Sequence, residues 1–153
     1  MIAIDLPDEA ATAALAARLA TVARPGDVIA LKGELGAGKT SFARAFIRAL
    51  GGVGEVPSPT FTLVQVYDLQ PAPVWHFDAY RLRDPEEVWE LGIEDAFADG
   101  ISMIEWPERL GALLPARRLE VALAPGATAS ARRAVIDAPG DWAGRFAGIA
   151  AET

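Results

Sequence analysis

Residues 33–40 combine glycines, a lysine and a threonine at the spacing of a loop that binds phosphate. They read Gly-Glu-Leu-Gly-Ala-Gly-Lys-Thr and match the pattern G-x-x-x-x-G-K-[ST]. In this pattern the glycines let backbone amides curve around phosphate oxygens at the positive end of a helix. The lysine, here Lys39, reaches the β- and γ-phosphates, and the hydroxyl of Thr40 binds Mg²⁺. The motif predicts a binding site for a nucleoside triphosphate and its metal ion.

Two carboxylates stand where they could complete that site. Asp78 and Glu105 each end an apolar, strand-like segment, at residues 74–78 and 101–105. Ligands of α/β proteins bind at the carboxyl ends of strands, and a phosphate-binding loop needs a nearby acid to hold Mg²⁺ or its water. Either acid alone could be a surface charge at a strand end. Together with the loop, they favour a metal site formed by Thr40, Asp78 and Glu105.

The side chains next to these acids allow more than one role. His76, the only histidine, shares a strand face with Asp78, and a structural hydrogen-bond donor is a commoner role there than a general base. Arg81 or Arg83 could contact phosphate or form an ordinary surface ion pair. Trp106 could stack on a ligand or a partner, or pack as a core aromatic. These alternatives stay open on sequence grounds.

The segment around residues 55–59 could respond to the nucleotide. Its two prolines exclude a helix, so we expect a loop. Ser58, Thr60 and Thr62 place three hydroxyls close to the expected position of the γ-phosphate. A switch-like loop and an ordinary turn before a strand explain this pattern about equally well.

The remaining hydrophobic pattern predicts the elements that position the motif. Residues 28–31 form a short buried strand before the loop, and apolar positions within 41–50 recur at helical spacing after it. Two further strand patterns, 61–67 and 74–80, are joined too closely for a parallel crossover and should pair antiparallel. The other expected elements are a strand at 2–6, helices starting near Pro7 and Asp84, a strand at 101–106, a hairpin around 119–123 and 133–138, and a closing helix with Trp142.

This arrangement of elements predicts an α/β fold. We expect a three-layer sandwich like that of P-loop nucleoside triphosphatases, with a mixed parallel and antiparallel sheet. A chain of 153 residues is most simply one domain. Residues 1–153 should form that domain, with the C-terminal hairpin and short helix, about 117–153, as part of it.

Composition narrows the classes of function. The formal net charge is −7 and the pI is about 4.7, which disfavours direct, non-specific binding to nucleic acid. Cysteine is absent, which excludes disulfides and thiolate metal sites. Asparagine is also absent, so a guanine-reading N-K-x-D motif cannot occur and adenine is the expected base. No apolar run approaches the roughly 18 residues of a membrane span, and we expect a cytoplasmic protein without a membrane partner.

Several motifs, taken in order, resemble those of one known family. They are residues 33–41, the loop 58–62, the segment 76–87 that begins His-Phe-Asp-Ala-Tyr-Arg, and Ile-Glu-Trp-Pro at 104–107. Their order and spacing over residues 2–123 resemble TsaE, a small bacterial P-loop ATPase of tRNA threonylcarbamoyladenosine synthesis. The C-terminal hairpin and helix match that family only in kind.

The resemblance implies an ATP-hydrolysing subunit that binds ATP or ADP with Mg²⁺ and works with two partner proteins. One partner is the transferase that places threonylcarbamoyl on the adenosine next to the tRNA anticodon, and the other is its paralogous scaffold; tRNA is contacted only indirectly. The resemblance assigns Lys39, Asp78 and Glu105 to catalysis, and Thr40 with the two acids to the metal. The implied nucleotide contacts are Gly33, Glu34, Leu35, Gly36, Ala37, Gly38, Lys39, Thr40, Ser41, Thr60, Trp106 and, near the adenine, Glu9.

Two other functions are compatible with the same motifs. A stand-alone small-molecule kinase would need an acceptor pocket and usually an arginine-rich lid, for which residues 81–83 are only a short candidate. The second alternative is a nucleotide-gated adaptor that does not hydrolyse ATP, and the sequence distinguishes it least well from an ATPase. No arginine has a clear sequence position over the γ-phosphate, so we expect slow hydrolysis by the chain alone and stimulation by its partners.

Overall fold

The phosphate-loop motif lies between the central strand of a seven-stranded sheet and the helix that follows it. In the computed structural model, which describes residues 1–34, 36–59 and 62–150, β2 spans Val28–Lys32 and α2 spans Lys39–Ala49. The first four residues of β2 are buried, since parallel neighbours flank this strand on both sides. The loop therefore starts from one of the most firmly held strands of the fold.

The other elements build the sheet outward from β2. The remaining strands are β1 (Ile2–Leu6), β3 (Val64–Tyr67), β4 (Val74–Asp78), β5 (Ile101–Glu105), β6 (Leu119–Pro125) and β7 (Arg132–Asp137). The helices are α1 (Glu9–Ala20), α3 (Ile93–Asp99), α4 (Asp141–Ala150) and two 3-10 helices, Pro85–Leu91 and Pro107–Leu113. The strand order is β1-β7-β6-β2-β5-β4-β3. Strands β6, β2, β5 and β4 run parallel, whereas β3, β7 and β1 are antiparallel to their neighbours.

Two hydrophobic cores cover the two faces of the sheet. The larger core joins the sheet to α1, α2 and α4, with Phe42 and Phe46 of α2 and Trp142 and Phe146 of α4 almost fully buried. The smaller core lies under α3 and the 3-10 helices, around residues such as Ile93. This arrangement of helix layer, mixed sheet and helix layer confirms the expected α/β sandwich.

Several element boundaries differ from the sequence-based expectation. β3 begins at Val64, β4 ends at Asp78 and β5 ends at Glu105, so each strand is shorter than predicted. The helix expected after Asp84 is a 3-10 helix with a capping box formed by Asp84 and Glu87, and it ends before Gly92, after which α3 begins. The 3-10 helix Pro107–Leu113 was not predicted.

Other predicted features agree with the structure. β3 and β4 pair antiparallel, as their short connection required, and β6 and β7 form the C-terminal hairpin. The closing helix is α4, and its apolar positions Trp142, Phe146 and Ile149 face the larger core. Across the described residues, no helix combines the length and the apolar character needed to cross a membrane.

Candidate nucleotide and metal site

The loop between β2 and α2 has backbone geometry that favours glycine at its tightest points. Gly36 and Gly38 have φ values of 79° and 100°, in the left-handed region. A Cβ on Gly33, whose φ is 144°, would lie 2.6 Å from the carbonyl oxygen of Leu123 in β6. Gly38 is also the N-cap of α2, and it has no side chain to bond the first amides of that helix. Those amides form the kind of cradle that accepts phosphate oxygens.

Lys39 is held over this loop by backbone carbonyls and an aromatic ring. Its Nζ donates hydrogen bonds to the carbonyl oxygens of Gly33 and Glu34, the second at 3.0 Å. The same atom lies 3.9 Å from the centroid of the Trp106 ring. Burial lowers the pKa of Lys39, while the charge of Glu105 acts in the opposite direction. The ammonium group is thus fixed beside the loop amides, where it can meet a phosphate.

Glu105 links the loop to the neighbouring strands through its carboxylate. Thr40 Oγ1 lies 3.0 Å from Oε1 and 3.1 Å from Oε2 of Glu105, within donating distance of both. His76 Nε2 lies 2.6 Å from Oε2, and because a carboxylate only accepts hydrogen bonds, Nε2 carries the shared proton. His76 is therefore a buried donor, in line with its commoner predicted role. Its partner is Glu105, across the strand pair, rather than Asp78 on its own strand.

Asp78 lies directly opposite Glu105 in the parallel pair of β4 and β5. The two side chains line the same cleft as Lys39 and Thr40, and Asp78 Oδ1 accepts a hydrogen bond from the Tyr80 amide at 3.0 Å. Within the described part of the chain, no cluster of three or more histidine, aspartate or glutamate side chains suits a metal ion. Mg²⁺ commonly uses one or two carboxylates together with phosphate oxygens and waters. This donor set therefore fits a metal that arrives with a nucleotide.

Two adjoining clefts meet at the loop. The smaller, of about 240 Å³, contains the loop, the two acids and Trp106. The larger, of about 610 Å³, lies between α1 and α2, and its lining includes Glu9, Gly38 and Ser41. Gly38, Ser41 and Arg132 line both clefts. The smaller cleft suits a phosphate chain, and the larger cleft has room for a bulkier group attached to it.

Arg132 holds the outer side of the loop and was not foreseen from the sequence. Its Nε donates to the Ala37 carbonyl oxygen at 2.9 Å, and its Nη2 donates to that of Gly36 at 3.2 Å. Arg132 is the first residue of β7, almost a hundred positions after the loop in the chain. Only the strand order reveals the contact, because β7 is antiparallel to β6 and β6 is parallel to β2. The start of β7 thereby reaches the edge of the sheet from which the loop emerges.

Trp106 belongs to a row of neighbouring side chains, in the order Lys39, Trp106, Tyr80 and Arg109. Its φ and ψ of 58° and 51° are unusual for a non-glycine residue and turn its ring toward Lys39. The Tyr80 ring lies 4.9 Å from the Trp106 ring, and the Arg109 guanidinium lies 5.5 Å from the Tyr80 ring. Trp106 thus contacts the loop lysine directly and also packs against the smaller core.

Some candidate residues lie elsewhere or cannot be placed. Arg81 and Arg83 line a separate cavity with Leu63 and Glu87, away from the phosphate loop. Leu35 and Thr60, both expected to contact the nucleotide, lie outside the described residues.

Comparison with known proteins identifies the relatives of this chain. The profile of the family described as "Threonylcarbamoyl adenosine biosynthesis protein TsaE" matches residues 6–134. The chain belongs to the TsaE family. This family member is 42% identical over 119 residues to the tRNA threonylcarbamoyladenosine biosynthesis protein TsaE of Rickettsia felis, covering 77% of this chain and 70% of that protein.

A sequence and a solved structure from Bacillus subtilis extend the comparison. The tRNA threonylcarbamoyladenosine biosynthesis protein TsaE of strain 168 is 40% identical over 118 residues, or 76% of this chain and 72% of that protein. The crystal structure of B. subtilis YdiB superposes with a TM-score of 0.83 at 28% identity, covering 99% of this chain and 95% of that one. The P-loop fold expected from the sequence is thus shared with a solved structure.

Proposed function

We propose that this TsaE family member is an ATP-hydrolysing subunit that supports threonylcarbamoylation of tRNA on the adenosine next to the anticodon. The observation that carries the proposal is the meeting of Lys39, Thr40, Asp78 and Glu105 in one cleft beside a glycine-rich loop. The names of the relatives, which refer to tRNA threonylcarbamoyladenosine biosynthesis, supply the pathway.

Each site residue has a chemical task in this proposal. The loop amides and the Lys39 ammonium bind the phosphates of ATP, and the Thr40 hydroxyl and the two acids hold Mg²⁺ or its water. Mg²⁺, when bound, would neutralise charge that develops on the phosphate oxygens. Asp78 and Glu105 keep negative charge next to the metal and orient water, while Lys39 stays fixed by the loop carbonyls and Trp106.

The larger cleft supplies the place for the nucleoside. It opens next to Gly38 and Ser41, so a nucleotide whose phosphates lie on the loop would direct its base toward Glu9 and α1. We propose adenine as the base, in agreement with the absence of asparagine for a guanine-reading motif. The expected contacts of Leu35 and Thr60 with the nucleotide remain predictions.

We further propose that this family member acts in the cytoplasm with the threonylcarbamoyl transferase and its paralogous scaffold. A net charge of −7 offers little attraction for the phosphate backbone, so tRNA is held by the partners. A single domain over 1–153 is part of the proposal, supported by the seven-stranded sheet to which both β1 and the C-terminal hairpin contribute.

Steady-state ATP hydrolysis by the chain alone and with both partners tests this function, beside a tRNA gel shift. We expect slow hydrolysis alone, a rise of about 10³-fold if a partner supplies a group to the transition state, and weak tRNA binding. Lys39→Ala in the same assembly is the control for contaminating ATPases. Fast hydrolysis by the isolated chain, unaltered by the partners, would favour a kinase without its acceptor. Nucleotide-dependent assembly without hydrolysis would favour an adaptor.

A further inference from the structure

His76 is a buried polar residue that the proposed phosphate and metal contacts do not use. Its side chain is fully buried, and it lines neither of the two clefts at the loop. It therefore has no direct route to a ligand. Its Nε2 lies 2.6 Å from Oε2 of Glu105, the acid that also contacts Thr40.

The strand register explains how His76 reaches Glu105. In the parallel pair of β4 and β5, His76 is paired with Met103 and Asp78 with Glu105, so all four side chains share one face of the sheet. His76 and Glu105 are diagonal neighbours on that face. Asp78 meanwhile accepts a hydrogen bond from the amide of Tyr80, two residues after the end of β4. The imidazole thus acts on one of the two acids selectively.

A purely space-filling role does not account for an imidazole at this position. Nδ1 of His76 has no hydrogen-bond partner among the described residues, and an unpaired buried polar atom destabilises the folded protein. An apolar side chain would avoid that cost. An apolar side chain, however, cannot donate a hydrogen bond to Glu105. The Glu105 side chain is only 4% exposed, so its carboxylate requires hydrogen-bond donors from the protein.

We infer that His76 is a positioning residue for Mg²⁺ binding: by donating from Nε2 to Oε2, it fixes the Glu105 carboxylate toward Thr40. This inference rests on the proposed function, since it concerns the metal that accompanies ATP. Residues that orient metal-binding groups commonly change metal affinity by about 10–100-fold when they are removed. Phosphate binding by the loop amides and Lys39 does not require this orientation.

Three substitutions separate the donor from the bulk of the ring. His76→Leu removes the donor, His76→Gln keeps an N–H near the position of Nε2, and His76→Asn places its amide nearer to Nδ1 and cannot reach Glu105. Ser102→Ala is the matched control, because Ser102 is a fully buried polar residue of β5 whose hydroxyl has no partner among the described residues.

The experiment is calorimetric titration of ATP into each full-length variant, in EDTA and over a series of Mg²⁺ concentrations. Mg²⁺ should strengthen ATP binding, and the Mg²⁺ concentration that gives half of this strengthening is the quantity compared. We expect His76→Leu and His76→Asn to raise that concentration about tenfold or more. The affinity of these two variants for ATP in EDTA should stay near the wild-type value. For His76→Gln and Ser102→Ala, the affinity for ATP should stay near the wild-type value both in EDTA and at every Mg²⁺ concentration. If His76→Leu does not fold, the comparison of Asn with Gln carries the test.

Two results would overturn the inference, and they are distinguishable. Wild-type Mg²⁺ dependence in His76→Leu or His76→Asn, or failure of Gln to differ from Asn, would show that His76 does not position Glu105, while leaving the proposed function intact. A wild-type protein whose ATP binding ignores Mg²⁺ would overturn both this inference and the proposed function.

Discussion

At the scale of residues, we expect the two acids and the loop lysine to have separable effects on ATP hydrolysis and ATP binding. In the proposed site, phosphate affinity would come mainly from the loop amides and Lys39, whereas Asp78 and Glu105 line the same cleft where they could organise a metal ion and its water. We expect Asp78→Asn and Glu105→Gln each to lower partner-stimulated hydrolysis about a hundredfold, with a much smaller loss of ATP affinity. Paired hydrolysis and binding assays measure both effects. A variant that hydrolyses ATP at the wild-type rate would show that its acid is only a strand-end charge.

Burial of Lys39 also predicts a pH dependence of stability in the absence of nucleotide. Burial lowers the pKa of Lys39 in the folded protein below its ordinary value of 10.5. Between the lowered pKa and 10.5 the unfolded chain binds more protons than the folded one, so this residue makes the free energy of unfolding rise with pH. Urea unfolding should show wild type gaining stability relative to Lys39→Met as the pH rises through that window. A constant difference, or one that falls, would contradict the burial argument.

At the scale of elements, β7 acts on the phosphate loop through Arg132. Its guanidinium bonds the carbonyls of Gly36 and Ala37, so we expect it to keep the loop in the conformation that presents its amides. Arg132→Ala should weaken ATP binding about tenfold and speed hydrogen exchange in residues 36–38, as loss of charge-assisted hydrogen bonds predicts. Arg133→Ala is the matched control, because Arg133 is its exposed neighbour and pairs with Asp5.

Equal ATP affinity and equal loop exchange in the Arg132 and Arg133 variants would contradict this role. Loss of affinity with unchanged exchange would instead indicate that Arg132 acts by contacting the nucleotide, since it also lines both clefts.

Arg145 of the helix α4 is expected to stabilise the fold without taking part in ATP binding. Arg145 makes a bidentate pair with Asp27 at 2.7 and 3.0 Å, and its guanidinium lies 3.7 Å from the Trp142 ring. Arg145→Met leaves the Asp27 charge buried without this partner, and we expect a loss of about 3–5 kcal/mol in the free energy of unfolding. Arg117→Ala, at an exposed ion pair with Asp141, should change little. Urea unfolding of both variants measures the difference.

ATP affinity of the folded Arg145→Met protein should match wild type. Asp27 directly precedes β2, and the loop follows it, so the length of the strand separates the two sites. Stability equal to that of Arg117→Ala, or a parallel loss of ATP affinity, would contradict the assignment of α4 to stability alone.

Local sequence patterns predicted most secondary-structure elements and the main site residues. They could not predict contacts between strands that are distant in the chain. The spacing of apolar residues identified α1, α2 and α4, and the short connection after β3 identified its pairing. Strand order depends on long-range pairing, so neither the insertion of β7 between β1 and β6 nor the contact of Arg132 with the loop could be foreseen. The left-handed backbone of Trp106 likewise could not be foreseen, because Pro107 directly after it favours an extended conformation.

At the scale of the whole molecule, the sheet brings groups from distant parts of the chain to one edge. The loop follows β2, Asp78 ends β4, Glu105 ends β5, and Arg132 begins β7. The chain is acidic overall, yet the clefts at this edge contain Lys39 and Arg132 beside the loop amides. The fold therefore concentrates the groups proposed to bind phosphate at a single place, and the proposed function requires that place to bind ATP.

The most direct test is calorimetric titration of ATP with Mg²⁺ into wild type and Lys39→Ala, with circular dichroism of both. Lys39 contacts loop carbonyls and the Trp106 ring rather than the hydrophobic cores, so its loss should leave the spectrum and the fold unchanged. We expect tight, saturable binding of one ATP by wild type and loss of tight ATP binding by a folded Lys39→Ala protein. Equal ATP affinity in the two folded proteins would contradict this expectation.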